Sequence, residues 1–202
     1  MRRSILGAVL LAALGTTAAG AQTMATPVMK SPYTSFKHTE LGAYISDPGE
    51  AFSVGLQGEY RMARKKFDFG FGLGYLDTKG NGKSVFALGV DARTGIARHT
   101  RDFPLDAALT GGFGTLIADG KTGFLIPVGV TVGRQVLLEE SNISFTPYVN
   151  PVIAPTFGEL LDDVQFGIGL GVDIALTKTF DLRVSGSLGD LEGIAIGAAW
   201  HR

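Results

Sequence analysis

Residues 67–75 read Phe-Asp-Phe-Gly-Phe-Gly-Leu-Gly-Tyr. Period-two alternation marks a strand, because successive strand side chains point to opposite faces. One face here is bulky and apolar throughout. The other is Asp or Gly. A glycine face packs nothing and weakens a strand exposed to water. It suits a surface where many strands crowd together, such as the inside of a narrow barrel. The bulky face must then look outward, and an outward face this apolar calls for lipid.

The pattern recurs. Ten alternating segments are predicted, at about 39–46, 50–62, 67–77, 83–97, 104–117, 121–136, 143–155, 163–176, 180–188 and 192–200. In the eighth, Val164, Phe166, Ile168, Leu170, Val172 and Ile174 oppose Gln165, Gly167, Gly169, Gly171 and Asp173. In the second, Phe52, Val54, Leu56 and Tyr60 oppose Ser53, Gly55, Gln57, Glu59 and Arg61. Lys79-Gly80-Asn81-Gly82, Ala118-Asp119-Gly120 and Gly189-Asp190 are hairpin chemistry, since Gly, Asn and Asp accept positive φ. Sequential hairpins without helices predict an all-β, antiparallel up-and-down barrel. Pro147, Pro151 and Pro155 weaken the seventh segment, because proline cannot donate to a ladder. The first segment is short. The strand count is therefore eight to ten, with ten favoured.

The N-terminus has the three-part form of a secretory signal. Met1-Arg2-Arg3 is followed by an apolar run from Ile5 to Leu14, then by Ala19-Gly20-Ala21. That run is short of the roughly 20 residues a membrane helix needs. The expectation is a signal peptide over 1–21 cleaved after Ala21, a flexible leader over 22–38 and one barrel domain over 39–202. Without Arg2 and Arg3, the 18 basic side chains fall to 16 against 19 acidic ones, a net charge of −3. That balance argues against a nucleic-acid partner. There is no Cys, so no disulfide and no lipid-modified cysteine. Charged residues are 18% of the chain, below the roughly 25% of soluble domains.

The aromatics sort by end. Bacterial barrels with an even strand count keep both termini in the periplasm, and aromatic girdles mark both interfaces. On that topology Tyr60, Phe67, Phe180 and Trp200 form the periplasmic girdle. Phe52, Tyr75, Phe86 and Phe166 form the outer one. Segment lengths fit the 9–11 residues of a tilted membrane strand.

The last segment, Glu192-Gly-Ile-Ala-Ile-Gly-Ala-Ala-Trp200, resembles the C-terminal signal of outer-membrane β-barrel proteins, apart from the trailing His201 and Arg202. The preceding hairpin, Leu176-Thr-Lys-Thr-Phe-Asp-Leu-Arg-Val-Ser-Gly186, resembles small barrels of the OmpA-like/OmpX-like superfamily. The resemblance implies a Gram-negative outer-membrane location and outer-membrane lipid around the barrel. It also implies delivery by the barrel-assembly machinery. The chain is expected to act as a monomer.

The inward-facing ionisable residues are Glu59, Arg61, Asp68, Asp91, Arg93, Asp106, Asp173, Asp181 and Arg183. They read as an interior network of ion pairs that fills the lumen, with a narrow cation-favouring pathway as the other possibility. His38, His99 and His201 fall at segment ends or connections without metal-ligand spacing. No Gly-x-Ser-x-Gly elbow is present. No catalytic, metal or cofactor residue is therefore expected. The connection at 156–162, with Leu160 and Leu161, is either a rim cap or a partner contact. The function expected is that of a non-catalytic outer-membrane barrel, structural or narrow-pore. The alternative is a soluble periplasmic barrel that binds a small apolar ligand.

Overall fold

The computed structural model describes residues 23–32, 38–49, 51–80, 83–139, 141–190 and 192–202. The expected signal peptide with its cleavage point, part of the expected leader (22 and 33–37), and Asn81-Gly82 of one hairpin lie outside the described residues.

Twelve strand segments occur among the described residues: β1 (Glu40–Asp47), β2 (Phe52–Ala63), β3 (Phe67–Thr78), β4 (Ser84–Ala97), β5 (Asp106–Ala118), β6 (Lys121–Leu125), β7 (Val128–Gly133), β8 (Val136–Leu137), β9 (Ser144–Gly158), β10 (Val164–Ala175), β11 (Phe180–Gly189) and β12 (Gly193–His201). β6 and β7 both lie between β5 and β9, and β8 also pairs with β9. The three are one interrupted stave. Every pairing is antiparallel, and β1 pairs with β12, so ten staves close into a barrel. The ten-strand expectation holds, including both doubtful segments. Closure leaves no open edge. The terminal end carries the start of β1 and the end of β12; the far end carries the β1–β2, β3–β4 and β11–β12 turns.

The proline segment is a full strand, and its prolines are placed by rule. The N–H of Ile126 donates to Pro155 O at 2.9 Å, and that of Arg134 to Pro147 O at 3.3 Å. The backbone edge carrying Pro147 and Pro155, and Pro151 midway between them, therefore faces the β6–β8 stave. β9 keeps a continuous register with β10 from Val164↔Pro155 to Ala175↔Ser144. Each proline withholds one donor from the other side. That stave is the broken one, with Ile126-Pro127 and Arg134-Gln135 at its gaps.

The alternation decides which way each side chain points. Leu41, Ile45, Phe71, Leu73, Leu88, Leu170, Ile194 and Ile196 stand out from the barrel, Leu73 with 64% of its surface exposed. Arg61, Asp68, Arg93 and Arg183 are buried inside. The girdle residues Tyr60, Phe67, Phe86, Phe166 and Trp200 are exposed on the outer face. Tyr75 stacks edge-on against Phe86, and Phe180 against Trp200. Phe52 corrects the expectation. A register shift between Phe52 and Val54 turns its ring inward, where it packs with Met24, Leu76, Val85, Leu116 and Leu125. Leu160 and Leu161 pack against the same cluster, so that connection caps the far end.

The second difference is the leader. Residues 23–32 are buried throughout. They run through the lumen instead of trailing from it. Thr26 and Val28 have no exposed surface and Met29 has 1%.

Candidate functional site

Among the described residues the lumen buries a dense set of charged side chains, and register builds it from two guanidinium clusters and the N-terminal segment.

In the first cluster, register sets Asp68 of β3 opposite Arg93 of β4. Asp68 Oδ2 accepts from Arg93 Nη2 at 2.8 Å, while Asp68 Oδ1 accepts from Arg61 Nε at 3.1 Å and also pairs with Nη2. Arg61 Nη1 also reaches Glu59 Oε1 at 2.5 Å and Asp91 Oδ2 at 2.8 Å. Arg61 and Asp91 flank Gly70, which is the β3 partner of both. A Cβ at Gly70 would collide with both side chains.

The second cluster repeats the device across the barrel closure. Gly197 of β12 lies between Arg183 of β11 and Tyr44 of β1. Arg183 grips Glu40 in a two-pronged pair, Nη1–Oε1 at 2.6 Å and Nη2–Oε2 at 2.7 Å, and donates to Tyr44 Oη at 3.0 Å. Asp173 and Asp181 lie 3.7 and 3.6 Å from the guanidinium. Such forked pairs are the strong form of ion pairing, and buried charge persists only when partnered. His201 is buried here, hydrogen-bonded to Asp181 at 2.7 Å.

The N-terminal segment links the two clusters. Lys30 Nζ lies 2.7 Å from Glu59 Oε1. The Ser31 carbonyl accepts from Arg93, and the Ser31 hydroxyl bonds Asp173. Thr131 Oγ1 donates to Lys30 O at 2.9 Å, and Ser185 Oγ to Pro27 O at 2.7 Å. Met29 packs on Tyr148 and Val152, and Val28 on Tyr44 and Ala195.

Eight of the nine predicted ionisable residues join these clusters. Asp106 does not: it pairs with the exposed His99 at 3.1 Å. The sequence reading missed Glu40, Lys30, Tyr44 and His201. A signal for Lys30 was present, because six carboxylates in the predicted set faced only three guanidiniums and a further cation was wanted. Among the described residues no His, Cys, Asp or Glu group is arranged to hold a metal ion.

No protein-family model matches the chain, and no curated protein matches it. Among solved structures, the β domain of the Bordetella autotransporter BrkA aligns with a TM-score of 0.57 at 13% identity, over 82% of this chain and 100% of that one. A de novo designed transmembrane β-barrel aligns at 0.42, with 14% identity over 86% and 98% of the two chains. A bacterial polysaccharide outer-membrane secretin aligns at 0.46, with 12% identity over 81% and 69%. The BrkA likeness supports the fold alone, a closed antiparallel β-barrel.

Proposed function

We propose that this chain is a non-catalytic outer-membrane barrel, structural or narrow-pore, whose interior is occluded by small side chains and ion pairs. One observation carries the reading: the closed barrel turns its apolar side chains outward and its charged ones inward. Leu41, Leu73 and Trp200 are more than half exposed, while Arg61, Asp68 and Arg183 are at most 2% exposed. Monomeric soluble proteins rarely show a contiguous apolar patch beyond a few hundred Å², and a belt around the barrel matches what lipid requires. A soluble carrier of apolar ligands needs the reverse arrangement, so that alternative is set aside.

On this reading outer-membrane lipid surrounds the belt. Strand β12, ending Trp200-His201, is the segment the barrel-assembly machinery would read. The likeness of the Leu176–Gly186 hairpin to small barrels of the OmpA-like/OmpX-like kind is the support for proposing that relationship, and a monomeric state is proposed with it. The test is fractionation of cells producing the protein, joined to refolding into lipid vesicles. The expected result is recovery with outer membranes and a heat-modifiable band on gels. Recovery in the soluble periplasmic fraction would sink the proposal.

A further inference from the structure

We infer that residues 23–32 are a removable stopper and that the lumen behind them is a cation-selective conduit. This rests on the outer-membrane reading and goes beyond it by naming what blocks the pore and what passes when the block leaves.

The inner wall is cut to this segment. A Cβ at Gly89, Gly112 or Gly114 would run into Thr23, one at Gly72 into Met24, and one at Gly169 into Met29. These glycines come from four staves, β3, β4, β5 and β10. A closed barrel has a circumference set by strand number and stagger, so it cannot tighten onto them. Withdrawal of the segment leaves a bore lined by backbone at those levels.

The attachment is of a reversible kind. Residues 23–32 join no strand ladder. Pro27 and Pro32 have no N–H to offer. The polar contacts are separate bonds to single side chains, among them Gln57, Glu59, Arg93, Thr131, Asp173 and Ser185, which water can replace one by one. With the segment seated, the cleft beside Thr23, Lys30 and Asp91 is about 40 Å³, room for a few waters at most.

Charge gives the selectivity. Glu40, Glu59, Asp68, Asp91, Asp173 and Asp181 face Arg61, Arg93 and Arg183. The segment contributes one charge, Lys30. When it leaves, its ammonium leaves with it, and Glu59 is left beside an open bore. Narrow passages lined by excess carboxylates favour cations, because low-dielectric walls focus the field.

The test is planar-bilayer recording in a KCl gradient, comparing the chain from residue 22 with the chain from residue 33. The intact chain is expected to be silent. The shortened one is expected to give ohmic steps, with a reversal potential showing K⁺ favoured several-fold over Cl⁻. A peptide of residues 22–32 should block those steps, and its Lys30→Glu form should not. A folded, inserted, silent short chain, or one favouring Cl⁻, overturns the inference and leaves the outer-membrane reading standing. Failure of the intact chain to insert overturns both. Should the short chain fail to fold, intact Lys30→Glu decides: openings support the inference and silence overturns it. Adding Met29→Cys with Gly169→Cys must silence those openings when oxidised and restore them when reduced.

Discussion

Arg61 and Asp91 stand on staves that are not neighbours, yet their side chains pair at 2.8 Å, because the stave between them presents Gly70. Gly197 plays the same part between Arg183 and Tyr44. The lumen is therefore wired across glycines.

Gly70→Ala tests the first crossing directly. The new Cβ would meet the Arg61 guanidinium and the Asp91 carboxylate, so the cluster must shift, at about 1–3 kcal/mol for overpacking. Gly58→Ala is the control, since the nearest atom to a Cβ there is 3.8 Å away. Urea unfolding of the refolded protein should show a lower midpoint for Gly70→Ala and little change for Gly58→Ala.

Glu40 and Arg183 clasp the closure of β1 on the last staves. Glu40→Ala leaves a buried guanidinium short of its main partner and is expected to cost roughly 3–5 kcal/mol. The double change Glu40→Ala with Arg183→Met removes the orphaned charge and should recover much of that loss. Fluorescence of Trp200, the only tryptophan, can follow unfolding in both; a double variant no better than the single would refute the clasp.

Leu73, near the middle of β3 and 64% exposed, tests the lipid face. Leu73→Arg should cost about 2–4 kcal/mol of stability in a bilayer and reduce insertion into vesicles. Unchanged insertion and stability would mean that this face does not meet hydrocarbon.

The β6–β8 stave should exchange its amide hydrogens fastest among the staves. Its partner edge on β9 carries three prolines and its own course is interrupted twice, whereas β3 and β4 pair from Phe67↔Thr94 to Asp77↔Ser84 without a break. Exchange read by mass spectrometry on peptides from 121–137 and from 67–97 gives the comparison. Pro151→Val restores one donor and should slow exchange in the first.

Much of this architecture was legible along the chain. Alternation in 67–75 and 164–174 marked the faces correctly, and the inward set from Glu59 to Arg183 came from that parity alone. Phe52 escaped because a one-residue register shift reverses parity, and no composition signal announces it. His201 was read as an end residue, yet it completes β12 and sits inside. The segment 23–32 was read as a leader because it has no alternation. Its clue was indirect, in glycines more numerous than neighbouring rings needed and carboxylates more numerous than guanidiniums.

The sequence by itself determined that this chain makes strands, eight to ten of them, and which side of most is apolar, because period two is local and every strand carries its own copy. Only the tertiary structure decided what the tiny face of Phe67–Tyr75 is for. Gly70 admits Arg61 and Asp91, and Gly72 admits Met24. Those contacts depend on closure and register, which bring together residues distant along the chain and leave no trace in any one segment.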